Sequence, residues 1–255
     1  MNAFFFKMWL ITKKRVYHIF EILFWPAIAL VSVGFMTRFL SVPPNVVAFI
    51  LVGVIALSVV HLGQLDMSYL ILYSVWEKSL KQELAAPVKI YHIVAGAWGI
   101  GVIHSIIVFS LLSLFSAYAF DYPLFSIGLL PVLLFLFGLT IMSSIIGMLV
   151  CGLALIFGGR SHVVATSTVS VLTLVSGIYY PIDVLPESIQ LISRAIPLTH
   201  FLLYYRSYYG FSGNADHALT MGYSLAFFYF FVGLFLFSRA LRYSRKQGIL
   251  TRISE

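Results

Sequence analysis

Residues 176–206 read SGIYYPIDVLPESIQLISRAIPLTHFLLYYR, and this stretch decides how the last third of the chain is organised. It leaves an apolar run at Pro181 and then carries two short amphipathic segments, 183–196 and 198–209, broken at Pro186 and Pro197. Lipid cannot satisfy free backbone N–H and C=O groups, so irregular chain beside a membrane must be buried in protein or face water. The stretch predicts a hairpin over 183–210 that dips back toward a bilayer; an ordinary loop outside the membrane is the alternative.

The composition identifies the class of protein. Of the 255 residues, 61% are hydrophobic and only 10% are charged, which is typical of an integral membrane protein. A helix needs about 20 apolar residues to cross the hydrocarbon core. Six stretches meet this requirement, at 19–40, 45–72, 91–119, 124–157, 162–182 and 217–238. We therefore predict an all-α membrane protein with six transmembrane helices, folded as a single domain over residues 1–255.

The basic residues lie mostly on one side of this six-helix arrangement. Of the 16 Lys and Arg residues, only Arg38, Arg194 and Arg206 fall on the opposite side. Because basic residues favour the cytoplasmic side, both termini are predicted to be cytoplasmic. The same bias, together with contact with anionic lipid headgroups, explains the net charge of +7 without any nucleic-acid partner.

Two segments outside the predicted spans are amphipathic. Residues 1–18 contain AFFFKMWLITKKRVY at 3–17, which mixes aromatic residues with a basic cluster and predicts a helix lying in the inner interface. Residues 74–88 read SVWEKSLKQELAAPV. Trp76, Leu80 and Leu84 would share one helical face, Glu77 and Lys81 would pair on another, and Pro87 would end the helix. This short helix either lies on the membrane surface or docks into a groove of a partner.

Asp66 is the most informative polar residue within a predicted span, and His61 lies one and a half turns before it. A carboxylate at this depth is costly unless it faces an interior cavity or a partner group. Two roles are compatible with the sequence. Asp66 either fastens two helices through a hydrogen bond, or it lies with His61 on a hydrophilic face that lines a translocation path. His104, in the third span, is interpreted as a packed, neutral imidazole.

Motifs for covalent chemistry are nearly absent from the sequence. There is no Gly-rich phosphate-binding loop, no His-Glu-x-x-His and no cluster of ligands at metal-binding spacing. We therefore predict no metal, no catalytic residue and no cofactor in this chain. Gly210-Phe211-Ser212-Gly213 matches a short pattern of intramembrane serine proteases, but it lies in a polar loop. An intramembrane enzyme built around Asp66, His61 or Ser212, and an ATP-independent carrier, remain the alternatives.

Three features in order along the chain resemble the permease subunits of type-2 ABC exporters. Residues 1–18 resemble the elbow helix of that family, and SVWEKSLKQELAAPV at 74–88 resembles its cytoplasmic coupling helix. Residues 176–206 resemble the signature before the last span, in which a small-Gly-aromatic-Pro run precedes a Leu-Pro and an Ile-Pro-Leu-Thr step. The resemblance covers nearly the whole chain.

The resemblance implies a half-transporter that is not itself an enzyme. Two copies of the chain would form the pore, and two copies of a separate ABC ATPase, which binds ATP and Mg²⁺, would lie beneath it. The coupling helix would contact the ATPase through Trp76, Glu77, Leu80, Lys81, Leu84 and Pro87. The hairpin would form part of an outer gate with Tyr179, Tyr180, Pro181, Pro186, Pro197 and His200.

The location implied is the cytoplasmic (inner) membrane of a bacterium or archaeon. The resemblance further implies export of an amphipathic substrate, such as a drug, a lipid or a lipid-linked saccharide, by alternating access.

Overall fold

The computed structural model of the chain describes residues 16–79, 90–157, 162–211 and 215–246, together with Phe6, Trp9, Leu10 and Gln82. Most of the predicted interfacial helix at 1–18 lies outside these residues, although Phe6, Trp9 and Leu10 are helical. Most of the predicted coupling helix at 74–88 also lies outside them.

The described residues are organised as eight α-helices and two short 3-10 turns, without β-strands among them. The 3-10 turns are Leu124–Ile127 and Ile182–Val184. The helices, numbered in chain order, are α1 (Val16–Phe39), α2 (Pro44–Trp76), α3 (Ile90–Phe120), α4 (Leu129–Phe157), α5 (His162–Val175), α6 (Glu187–Ala195), α7 (Pro197–Ser207) and α8 (Ala215–Lys246).

Four of these helices are long and apolar enough to cross a membrane, within the part of the chain that the structure describes. They are α2, α3 from Tyr91, α4, and α8 as far as Ser244. The other two predicted spans correspond to shorter apolar helices, Phe24–Phe39 within α1 and Thr166–Val175 within α5. The all-helical membrane class is therefore confirmed, whereas the count of six spans stays a prediction.

Helix α2 is the centre of the bundle. It packs against α1, α3, α4, α5 and α7, and 72% of its most apolar window is buried inside the protein. Helix α8 packs against α4 and α7 and has only 17% of its corresponding window buried. Since a helix of 33 residues is about 50 Å long, α2 extends beyond the roughly 30 Å hydrocarbon core.

Three of the predicted boundaries differ from those of the structure. The predicted span at 124–157 begins with a 3-10 turn, and Gly128, at a φ of 96°, separates this turn from α4. The predicted span at 162–182 ends as an α-helix at Val175, because the chain turns at Gly177, whose φ is 71°. The second span, predicted to end at residue 72, continues to Trp76.

Candidate functional site

The guanidinium of Arg206 forms the most highly connected polar site among the described residues. Arg206 lies in the last turn of α7 and is only 3% exposed. Its Nε and Nη2 donate hydrogen bonds to the carbonyl oxygen of Phe49, at 3.2 and 2.9 Å. Nη1 donates to the carbonyl of Gly177 at 2.6 Å, and Nη2 also donates to that of Ile178 at 2.7 Å. The site thus joins α7, the N-terminal part of α2 and the turn after α5.

Two glycines make room for this site. A Cβ atom added to Gly53 of α2 would overlap the carbonyl oxygen of Ile178 and would lie 2.7 Å from Nη2 of Arg206. Gly177 adopts a left-handed φ that aims its carbonyl at the guanidinium, a conformation that glycine tolerates best. A side chain at Gly53 would therefore separate α2 from the turn that carries two of the accepting carbonyls.

The positive charge of Arg206 is balanced by dipoles rather than by a carboxylate. Over the residues that the structure describes, no Asp or Glu forms an ion pair with it. Its partners are three backbone carbonyls and the face of the Phe49 ring, whose centroid lies 3.4 Å from the guanidinium carbon. Burial lowers the pKa of Arg206 to about 9, so the group stays charged at neutral pH. Removing the side chain would leave the carbonyls of Gly177 and Ile178 without donors, whereas the carbonyl of Phe49 would keep its hydrogen bond within α2.

Tyrosines at the C-terminal end of α7 and just after it attach this helix to α4 and to the 3-10 turn before it. The hydroxyl of Tyr205 donates to the carbonyl of Leu124 at 2.8 Å, and its ring stacks on Phe135 with centroids 4.2 Å apart. The hydroxyl of Tyr209 donates to the same carbonyl at 3.0 Å. Helix α7 and the residues just after it are therefore held on both sides, by α2 through Arg206 and, through the tyrosines, by α4 and the 3-10 turn before it.

The predicted hairpin consists of two short helices, α6 and α7, with Ile196 serving as the end of one and the start of the other. Pro186 precedes the first residue of α6 and Pro197 is the first residue of α7, which is a position that proline favours. The first helix was predicted to begin at residue 183, and this is wrong. Residues 182–184 form a 3-10 turn, and Pro186 delays the α-helix to Glu187.

Side-chain hydrogen bonds order the hairpin. The buried hydroxyl of Ser193 lies 2.6 Å from the carbonyl of Val175 at the end of α5. His200 approaches the carbonyl of Arg194 at 2.8 Å through its Nε2 atom. The hydroxyl of Tyr180 donates to the carbonyl of Leu174, while Tyr179 is 37% exposed. The remaining predicted gate residue, Pro181, precedes the 3-10 turn.

The apolar face predicted for α6 is partly covered by protein and partly exposed. Ile189 and Ile196 are half-buried, whereas Ile192 is 57% exposed beside Leu191, which is 71% exposed. The charged residues of the hairpin, Asp183, Glu187 and Arg194, are exposed. An amphipathic helix that leaves two large aliphatic side chains uncovered fits an interface more closely than it fits bulk water.

Asp66 lies in the interior between α2 and α3, where it meets His104. The Oδ2 atom of Asp66 is 2.8 Å from Nδ1 of His104, and the side chains are 1% and 7% exposed. The two helices approach closely at Gly101, where an added Cβ would lie 3.6 Å from the carbonyl oxygen of Gly63. This contact is a hydrogen-bonded link between two helices. His61, the other predicted path residue, is half-buried on α2.

The C-terminal end of α2 differs from the predicted coupling helix. Trp76 is the last residue of α2, where its ring contacts those of Tyr69 and Tyr73, and Glu77 caps the helix. Lys78 then adopts a φ of 55°, which interrupts the helix. Trp76 therefore belongs to α2, on the other side of this break from the rest of the segment, and the apolar face predicted for Leu80 and Leu84 stays a prediction. The remaining predicted contact residues lie outside the described residues: Leu80, Lys81, Leu84 and Pro87.

Sequence reasoning missed Arg206, which it counted as a basic residue on the outer side. A signal was present, because Arg206 follows PLTHFLLYY, an apolar and aromatic run in which a surface charge is unexpected. Its partners could not be identified in the same way. They are main-chain carbonyls at residues 49, 177 and 178, and carbonyls carry no sequence signature.

Comparison with known proteins identifies a family that the chain matches. The protein-family model described as ABC-2 type transporter matches residues 5–209, a range that contains α1 to α7. An uncharacterized protein of Archaeoglobus fulgidus is 44% identical to the chain over 46 residues, which make up 18% of this chain and 72% of that protein.

Proposed function

The chain belongs to the ABC-2 type transporter family, and from this premise we propose that it is the membrane-spanning subunit of an ATP-driven exporter. The observation that carries the proposal is the family match, which runs through the central helix α2 and the hairpin α6–α7. In this proposal, two copies of the chain form the translocation path for an amphipathic substrate. Two copies of a separate ABC ATPase bind ATP and Mg²⁺ on the cytoplasmic side.

The proposed arrangement in the membrane has six spans, with both termini in the cytoplasm. Helix α1 and the segment from α5 to the turn at Gly177 supply the two crossings beyond the four long apolar helices. The hairpin re-enters from the outside and borders the exit of the path. Its exposed aliphatic residues, Leu191 and Ile192, support contact with the interface.

Helix α2 is proposed to transmit movement between the two faces of the membrane. Its inner end leads directly, through Trp76 and Glu77, into the segment that is proposed to contact the ATPase. Its outer part is hydrogen-bonded to Arg206 of the hairpin through Phe49. Since a buried, continuous helix moves as a rigid element, displacement at its inner end would reach the hairpin without an intervening flexible joint.

In this proposal, ATP binding and hydrolysis by the ATPase drive alternating access. Closure of the ATPase dimer on ATP favours one of two arrangements of the helices, and hydrolysis allows the other to return. The subunit performs no covalent chemistry. Its residues couple a distant conformational change to the exposure of the path. Asp66, which His104 covers in this structure, is proposed to face the path between the two copies, together with His61, in the other arrangement of the helices.

The proposal is tested by isolating the chain together with the P-loop ATPase expressed from a neighbouring gene. We expect the two proteins to co-purify from detergent in equal amounts, and Leu80→Asp to release the ATPase while the permease stays folded. Gln82→Asp is the matched control, because it adds the same charge outside the predicted apolar face. Unchanged co-purification of the Leu80→Asp variant, or release by both variants, would contradict the proposed contact.

A further inference from the structure

A groove with an apolar floor and a basic rim lies between the inner halves of α4 and α8 and the start of α5. Its volume is about 780 Å³, which is in the range of sites that hold organic ligands. Leu149 of α4, Val164 of α5 and Leu236 of α8 line it, and each is at least 40% exposed. The groove is therefore an open, apolar depression in the surface of the protein.

The rim of the groove is positively charged. Arg239, Arg242 and Tyr243 lie within two turns at the C-terminal end of α8. The guanidinium of Arg239 lies over the ring of Phe235, and that of Arg242 contacts Ser238 of its own helix. Across the described ranges, no carboxylate forms an ion pair with either arginine. Both charges are thus available to an anion at the end of the groove.

Periodicity along α8 aligns this rim with the apolar floor. Leu236, Arg239, Ala240 and Tyr243 recur at intervals of three and four residues and so share one face of the helix. On the facing wall, the hydroxyl of Thr168 is satisfied by the carbonyl of Val164 at 2.7 Å, which leaves its methyl group for the groove. A ligand in this site would meet hydrocarbon along its length and two guanidinium groups at one end.

We propose that the groove binds one anionic glycerophospholipid, with an acyl chain on the apolar floor and the phosphate at Arg239 and Arg242. Charge complementarity favours this occupant over a zwitterionic lipid, since basic pockets between transmembrane helices select anionic headgroups. The rim lies at the C-terminal end of α8, and the positive-inside rule predicts that this end is on the cytoplasmic side of the membrane. The site is separate from the proposed path at Asp66 and does not depend on the transport function.

The test uses the full chain in mild detergent and native mass spectrometry with equimolar phosphatidylglycerol and phosphatidylcholine of identical acyl chains. The wild-type protein should retain phosphatidylglycerol in preference. Arg239→Gln and Arg242→Gln should each reduce this preference about fivefold, the effect of one cation at an anionic surface. Arg194→Gln is the matched control, because it removes an exposed arginine from the hairpin and should leave the preference unchanged.

Two further measurements separate the lipid from other occupants. Leu149→Trp should fill the groove and reduce retention of both lipids, whereas soluble glycerol 3-phosphate should not displace phosphatidylglycerol from the wild-type protein. The proposal is overturned if the double variant Arg239→Gln/Arg242→Gln keeps the full preference, or if glycerol 3-phosphate competes, which would indicate a site for a free anion. It is also overturned if the variants change the oligomeric state but not lipid retention, because the groove would then be an interface between copies.

Discussion

Two buried polar sites contact α2, one through Arg206 of α7 and the other through Asp66 of α2, and their charges are stabilised in different ways. Arg206, near one end of the helix, is surrounded by main-chain carbonyls and an aromatic face, while Asp66 meets the titratable side chain of His104. The two contacts on α2 are about 17 residues apart, which is about 25 Å along a helix. Carbonyl dipoles cannot gain or lose a proton, so the partners of Arg206 keep the same polarity. A carboxylate and an imidazole are both titratable, so the charges of the Asp66 site depend on where its protons lie.

This contrast indicates what each site is suited to do. The Arg206 site fixes the hairpin to α2 and to the turn after α5, and its stability depends on backbone positions. The Asp66 site links α2 to α3 through two side chains that can separate without breaking main-chain structure. We expect the first to be a rigid attachment and the second to be the more adjustable one.

The largest effect is expected from Arg206→Leu. The change leaves the buried carbonyls of Gly177 and Ile178 without donors and removes the guanidinium from the carbonyl of Phe49, so it should lower the free energy of unfolding by on the order of 3–5 kcal/mol. Thermal unfolding of the purified protein in detergent would measure it. Arg194→Leu in the same hairpin is the control and should change stability by less than about 0.5 kcal/mol, because that side chain is exposed. Equal effects of the two substitutions would contradict the attachment.

A smaller loss of stability is expected from Gly53→Ala, which alters the contact between α2 and the turn that binds Arg206. The added Cβ would overlap the carbonyl of Ile178 and should cost about 1–3 kcal/mol of stability. Gly101→Ala is the matched control on α3, because its Cβ would meet ordinary contacts at 3.6 Å or more. That substitution should be neutral or stabilising by up to about 1 kcal/mol through helix propensity. Thermal unfolding in detergent would compare the stabilities of the two variants. A Gly53→Ala variant as stable as the wild type would contradict this prediction and show that the turn at Ile178 can move.

Asp66→Asn is expected to have a moderate effect on stability and a clear effect on transport. The amide can keep a hydrogen bond to His104, so the variant should assemble with its ATPase and lose export of a fluorescent amphipathic dye. A double-mutant cycle with His104→Gln should give a coupling free energy of about 0.5–3 kcal/mol. If Asp66→Asn fails to assemble, the pair acts only as a fastening between helices, and Asp66 no longer belongs to the proposed path.

The smallest perturbation uses single cysteines in a Cys151→Ala background to locate the hairpin surface. Cysteines at exposed positions 187 and 194 should react with an impermeant maleimide added outside. A cysteine at 192, which the protein leaves exposed, should resist that reagent in the membrane, because lipid would cover it and keep the thiol protonated, but should react once the membrane is dissolved in detergent. A cysteine at the buried position 193 should resist the reagent under both conditions. Reaction of position 192 with the impermeant reagent would identify a solvated loop and contradict the re-entrant hairpin.

Much of the architecture could be predicted because it depends on local chemistry. Apolar length identified the four long spans, and proline marked the limits of α6 and α7, since its ring and missing N–H constrain the backbone wherever it occurs. The burial of Asp66 also followed from composition, since a carboxylate in an apolar span must avoid lipid. The break at Lys78, by contrast, was missed, because a helical face drawn on the sequence presupposes an uninterrupted helix.

The sequence alone therefore determined the class of this protein, its helix-rich chain and its family resemblance, because hydropathy and proline act over a few neighbouring residues. Only the tertiary structure decided which charges are interior and what neutralises them. From the sequence, Arg206 could not be distinguished from the other basic residues predicted for the outer side, because its partners are carbonyls 157 and 29 residues away in the chain. Such contacts depend on how helices pack, and main-chain acceptors look alike in every sequence.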